Sequence, residues 1–381
     1  MPACLRPDTA QKLIERGWGH APTVRKQENP KDLFAAVAVD PVTSRVYAAD
    51  YLGRSLYVLD ASTNRTLDVI PINGNPWDVA VNQVTGKVYV VNRNSPDAVV
   101  VINGSTDRMI GVIKITDMGA HTPQVTYNPI RIQPRFYKIE PLEVAVNPST
   151  NKVYVSDWNY PDGGITVIDG RTDRVVKTIL GLGGSSYGIG VNPITNRVYI
   201  DEFQDDHHHV PYYVTVIDGS TDSIMANVTI GRTGPGGIST IPDSLRIVPL
   251  AVNPASNTIY AVCGGCRWPG QDHNSDWISI INGTTNEVIG NYTVSPKSIA
   301  VNTEENKVYV GVAGYVDFSR NLVVSGSHDI DVLDGKTNRK VGELRSDTVI
   351  FSLAVNPKTD TIYVTNEYPK SSIEMLSGTL N

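Results

Sequence analysis

Cysteine is scarce in this 381-residue chain: three residues, of which Cys263 and Cys266 alone stand close together. That excludes a disulfide-stapled scaffold, and without a second Cys pair it excludes a zinc ribbon. Long apolar runs are lacking as well. None approaches the roughly 18 residues that a membrane-crossing helix needs, so no span is expected. Positive charge is not in excess, with 33 Lys and Arg against 39 Asp and Glu and a net charge of -6. Nor is there a basic cluster of the kind that neutralises phosphates, which argues against nucleic acid as a partner. No G-x-S-x-G elbow, phosphate-binding loop or H-E-x-x-H pair occurs. Helical periodicity is nearly missing too. It is confined to residues 5–19, where Asp8 is an N-cap, Ala10, Leu13 and Ile14 form a stripe, and Gly17 supplies the stop.

What the chain has instead is glycine (32), proline (24) and tyrosine (18), the composition of many short strands joined by turns. The strands repeat. Val79-Ala80-Val81-Asn82-Gln83-Val84-Thr85-Gly86-Lys87-Val88-Tyr89-Val90-Val91-Asn92 is an apolar strand, a tight turn, and a second strand opening on Tyr. The turn residue recurs as Asp40, Asn82, Asn147, Asn192, Asn253, Asn302 and Asn356. Seven residues after each comes a Tyr: Tyr47, Tyr89, Tyr154, Tyr199, Tyr260, Tyr309 and Tyr363. A third strand ends in an Asx-Gly-type turn at Asp60, Asn103, Asp169, Asp218, Asn282 and Asp334, and a fourth follows. Four alternating strands per copy and seven copies, with a period in the forties, specify an all-β, seven-bladed β-propeller of four-stranded antiparallel blades.

Tyr89-Val90-Val91-Asn92 and Tyr363-Val364-Thr365-Asn366 resemble the signature strand of YVTN-type propellers, which include archaeal surface-layer-like proteins. The resemblance covers nearly all of residues 22–381 and implies the same fold. It also implies a cell-surface or extracellular setting. Met1 to Arg6 lacks the apolar core of a secretory signal, so the chain is either cytoplasmic or begins after a removed leader. Residues 4–19 are similar to a short segment of exported archaeal proteins, in which case Cys4 has lost an upstream partner. The expected organisation is a helical extension over 1–21 and a propeller over 22–381, with repeats starting near 37, 79, 144, 189, 250, 299 and 353. The last copy runs out one strand short at Asn381, and residues 22–30 stand where an extra strand precedes the first copy. A ring latched by its own N-terminal strand is therefore expected.

Insertions are confined to two kinds of connection. The interval from the repeated Tyr to the third-strand turn grows from 13 residues at Tyr47–Asp60 to 25 at Tyr309–Asp334. Fourth-to-first connections lengthen after repeats two and four. In an up-and-down blade both kinds leave from one face of the disc, and uniform short turns build the other. Variable loops on a rigid scaffold are where function is acquired.

The residues expected on that ligand-binding face are Asp50, Trp77, Asn92, Asp157, Trp158, Tyr187, Glu202, Trp268, Trp277 and Asn366. The expected partner is a protein, a glycan or a small molecule, recognised without catalysis. The alternative is a metal-dependent lyase or hydrolase, lactonase-like or virginiamycin-B-lyase-like, using one divalent metal ion on the same face. Its ligands would come from His207, His209 and Asp205, with His121, His273 or His328; in an extended chain His207 and His209 project to one side. A solvated polar loop tip explains the same His tract. Cys263 and Cys266 form either a local disulfide or two free thiols.

Overall fold

The computed structural model describes residues 24–28, 33–93, 98–115, 141–157, 163–180, 182, 185–203, 211–232, 249–266, 275–312, 316–317, 322–323, 327–366 and 371–380. They form seven four-stranded antiparallel sheets and one two-stranded ribbon, with no helix among the described residues. The helix expected over residues 5–19 lies outside them.

Each sheet is one copy of the repeat. In the second, Asn75–Asn82 pairs with Lys87–Arg93, which pairs with Ala98–Asn103 and then Arg108–Lys114. First strands of neighbouring blades touch all the way round, from Phe34–Asp40 through the seventh blade's Ser352–Asn356 and back. The molecule is thus a seven-bladed propeller whose first strands surround the axis. In the seventh sheet the strand outside Ser372–Ser377 is Val24–Glu28, running antiparallel with Gln27 opposite Ile373 and Glu28 opposite Ser372.

The core follows from the alternation. Second and third strands are buried on both faces, as in Arg45–Asp50 and Ser55–Asp60, while fourth strands such as Arg108–Lys114 are largely exposed. Seven apolar clusters result, one at each junction between blades. All seven repeated Tyr residues are fully buried there.

The repeated motif is also a set of clasps. In five of the seven blades the residue two before the Tyr is Lys or Arg, and it reaches the third-to-fourth turn of the next blade. Lys152 Nζ donates to Gly219 O at 2.8 Å and to Asp222 Oδ2 at 2.7 Å, and the Tyr154 hydroxyl donates to Asp222 Oδ1 at 3.2 Å. Lys87 does the same to Gly170 and Asp173, and Arg45 to Gly104 and Asp107. A second ring joins the first-to-second turns. Asn82, Asn147, Asn192 and Asn253 each donate Nδ2 to Oδ1 of the next blade's Asn151, Asn196, Asn257 and Asn306, at 2.6–2.8 Å. Those acceptors stand at φ of 50–55°, a left-handed conformation that Asn tolerates better than other side chains. One face of the disc is therefore sewn together turn by turn. On the other, the sixth blade's long connection carries the ribbon Val316–Asp317 with Leu322–Val323.

Candidate functional site in the axial cavity

The rim residues at the ends of the second strands act mainly on their own loops. Asp50 Oδ1 accepts from the N–H groups of Leu33 and Gly53 at 2.9 and 2.8 Å. Asn92 Nδ2 donates to Asn73 O at 2.8 Å, and Asn366 Oδ1 accepts from the Ser372 N–H and hydroxyl. Asp157 and Tyr187 are buried as well. Trp277 is 2 % exposed and belongs to the core between blades four and five, its Nε1 donating to Ser279 Oγ at 3.0 Å. Each of these side chains is turned inward. Trp158 and Trp268 lie outside the described residues.

Of the expected face residues, Trp77 is the one the structure puts at a cavity. A hollow of about 200 Å³ runs on the axis, lined by first-strand residues from all seven blades, among them Trp77, Asp78, Glu143, Ser298 and Ser352. All but Trp77 belong to one structural position, immediately before the apolar run that ends in the turn Asn or Asp. Around the ring it is occupied by Ala36, Asp78, Glu143, Gly188, Pro249, Ser298 and Ser352. Pairing with the second strand slips in register just ahead of this position or through it, in blades one, two, three, four and six. Such bulges free backbone groups and re-aim side chains. The axial side chain then binds a backbone N–H of the next blade: Asp78 Oδ2 accepts from Val144 at 2.7 Å, Glu143 Oε2 from Ile189 at 3.2 Å, and Ser298 Oγ from Leu353 at 3.0 Å. Beside the carboxylates, Trp77 carries the Arg93 guanidinium 4.8 Å from its ring centre, with the edge of Tyr51 at 5.5 Å.

Two more carboxyl groups sit behind the lining, at neighbouring positions of the fourth blade's second strand. Asp201 is 2 % exposed and its Oδ2 has no hydrogen-bond partner; Glu202 is 1 % exposed and neither of its oxygens has one. Opposite Glu202 in the sheet stands Ser186, whose hydroxyl is likewise buried and unpartnered. Thr215, diagonal to Glu202 on the third strand, donates to Asn227 Oδ1 at 2.8 Å.

Removal from water disfavours the charged carboxylate, and all four groups respond in that direction. Burial lifts Asp78 to about 6, against the Val144 and Val79 N–H groups that favour its ionised form. Glu143 is driven well above the carboxylate range, first by burial and then by the charge of Asp78, with a smaller push from Asp201. Burial, followed by the neighbouring Glu202, raises Asp201 strongly. Glu202 is lifted by burial to about 8, with Thr215 opposing. Asp78 and Glu143 are open to the cavity and only half-buried, so their shifts are the more moderated by water. With values near 6 and 8, Asp78 is mostly ionised at neutral pH and Glu202 mostly protonated. The arrangement can store protons and can receive a cation. Among the described residues no three His, Cys, Asp or Glu side chains are grouped to hold a metal ion.

Of the residues expected as metal ligands, Asp205, His121, His207, His209 and His273 lie outside the described residues. His328 pairs Nδ1 with Ser346 O at 3.1 Å. Cys263 is disulfide-bonded and fully buried at the junction of blades four and five. Sequence reasoning passed over Asp78, Glu143 and Asp201 because it looked for chemistry at strand ends. The signal was there: a carboxylate directly before Val-Ala-Val-Asn in two neighbouring copies, where other copies carry Ala, Gly, Pro or Ser.

No family model matches the chain, and no curated protein sequence does either. Solved structures match it throughout. Hydrazine synthase of Kuenenia stuttgartiensis is 15 % identical, with a TM-score of 0.65 over 93 % of this chain and 98 % of that one. The WD40 repeats of RRP9 are 9 % identical, with a TM-score of 0.64 over 94 % and 98 %. U3-55K is 10 % identical, with a TM-score of 0.65 over 94 % and 99 %. At these identities the likeness establishes the propeller fold.

Proposed function

We propose that this chain is a non-enzymatic binding propeller, working at a cell surface or outside the cell, whose loop face recognises a protein. A glycan or a small ligand on the same face is the narrower variant of this reading. The observation that carries it is the division of labour between the two faces. The turn face spends its polar groups on clasps between blades, such as Lys152 on Asp222 and Asn147 on Asn196. The long, unequal connections leave from the opposite face. Trp77, the edge-on Tyr51 and the Arg93 guanidinium over the indole form an aromatic and cationic group beside the axial cavity, the residue types that anchor binding interfaces. Propellers with WD40 repeats are among the fold neighbours, and such discs commonly serve as binding platforms, which supports the reading by analogy of fold. In this proposal Val24–Glu28 latches the ring by completing the seventh blade, so that the disc is rigid enough to present its loops.

A photo-crosslinking amino acid placed at Tyr51 or Arg93, against one placed at Thr43 or Ser62 on the turn face, tests the proposal in extracts of the source cells. Crosslinks to one defined protein from the loop-face positions alone are expected, and Tyr51→Ala with Arg93→Glu should abolish capture by a bystander position. Equal capture from both faces would overturn it. Protein prepared without a metal column should carry metal well below one equivalent, whereas a stoichiometric metal lost on changing His207 and His209 would favour the metal-dependent lyase or hydrolase.

A further inference from the structure

We propose that the axial cavity is a receptor for one compact organic cation, a primary ammonium or a guanidinium, held between Asp78 and Glu143 beside Trp77. This deepens the loop-face reading and rests on it, since the cation is the group that a ligand or partner on that face would insert. Three observations converge. The cavity, at about 200 Å³, is smaller than the roughly 300–1,000 Å³ of pockets that take drug-sized ligands, so it suits a single charged head rather than a whole ring system. Its described lining contains two carboxylates and no basic side chain, with the indole of Trp77, which already carries Arg93, alongside. Behind the lining, Asp201 is buried with an unpartnered Oδ2 and lies near enough to Glu143 for its charge to be felt there. Buried carboxyl oxygens without partners are rare in folded proteins, so Asp201 marks an unsatisfied acceptor close to the two lining carboxyls.

Without a ligand, burial and the charge of Asp78 both favour a proton on Glu143, which relieves the repulsion between the two groups. An arriving cation takes over that role. The O–H bond of the Glu143 carboxyl breaks, its proton passes to solvent, and the carboxylate formed pairs with the ammonium. Asp78 and Glu143 each retain one oxygen on the backbone N–H of the following blade, so the site is held open by bonds that do not depend on the ligand.

The full-length chain titrated calorimetrically with n-butylammonium and with methylguanidinium, in buffers of different ionisation heat, tests this. Saturable binding with release of close to one proton at pH 7 is expected. The double variant Asp78→Asn, Glu143→Gln keeps both backbone acceptors, so it should fold. It should bind at least tenfold more weakly and release no proton. Equal binding of n-butanol, undiminished binding by the double variant, or no saturation by either cation would overturn the proposal. A peptide with one exposed Lys separates the two sources of such a cation. Binding at least tenfold tighter than n-butylammonium identifies a protein side chain, and binding no tighter identifies a free amine. Failure of the crosslinking test with cation binding intact would sink the protein-partner reading alone, and the reverse would sink this one alone.

Discussion

Glu202 is a carboxyl group enclosed where its charge has nothing to meet. Its folded-state acidity is shifted upward to about 8 by burial, from 4.5 in the unfolded chain. The sign of the consequence is fixed by linkage. A raised carboxyl binds its proton more tightly in the folded state, so its contribution is fully present below pH 4.5 and is lost as pH rises through 8. Each pH unit in that window removes up to about 1.4 kcal/mol for one proton. Glu202→Gln should therefore flatten the fall in melting temperature between pH 5 and pH 9, and a calorimetric series would show it. An unchanged slope would mean that Glu202 is solvated in the folded protein. Asp201 acts in the same direction and sits in the same strand, so the double variant Asp201→Asn, Glu202→Gln should flatten the curve further. The identity of Glu202 as an odd rim residue was legible from the sequence. Its burial was not, because the end of a strand is covered or left open by loops whose packing no period of two can reveal.

At the scale of the element, the repeat was legible because identical junctions require identical residues. Each repeated Tyr packs at a junction between blades, and the turn Asn of five blades donates its side-chain amide to the next blade, so both recur at fixed spacing. The axial position obeys no such requirement. It faces a space shared by all blades, and seven different first-strand neighbours can fill it with Ala36, Asp78 or Pro249 alike. The cavity is therefore a property of the assembled ring, invisible to any single copy. The clasps were half legible: the Tyr stood out by its recurrence, whereas the cation two residues earlier was not singled out. Lys152 and Asp222 are 23 % and 11 % exposed, between a surface pair and a buried one. Removing the cation leaves the Asp222 carboxylate with the Tyr154 hydroxyl as its remaining side-chain donor. Lys152→Met should cost about 2 kcal/mol in urea unfolding, more than an exposed pair and less than a buried one. Adding Asp222→Asn should recover part of that loss, since Asn keeps the left-handed turn at φ 51° without the orphaned charge. Additive losses would mean that the two side chains do not act as a pair.

A propeller as a whole has one weakness, the junction where the ring must close on itself. Six blades here draw all four strands from one continuous stretch, and the seventh pairs Ser372–Ser377 with Val24–Glu28 from the far end of the chain. Other contacts also cross that junction: Asn64 Nδ2 donates to Ile373 O at 3.0 Å, Lys358 Nζ to Pro41 O at 3.0 Å, and the Phe34 N–H to Ser371 Oγ at 3.0 Å. These and the apolar cluster around Tyr363, Phe34 and Leu59 should keep the disc closed when the outer strand is missing. What deletion of residues 1–30 removes is the cover of one strand edge, and an uncovered edge pairs with the next available strand. The truncated protein should therefore retain its far-ultraviolet spectrum, melt several degrees lower, and form dimers or larger species as concentration rises. A synthetic peptide spanning residues 22–30, added in excess, should reverse the association by restoring the missing partner through β-augmentation. Changing Lys26 to Pro in that peptide removes a strand donor and should weaken the rescue, because proline cannot supply the N–H. A truncated protein that stays monomeric at every concentration and melts with the full chain would show that the N-terminal strand is not the latch. Closure would then rest on the core contacts between the first and seventh blades.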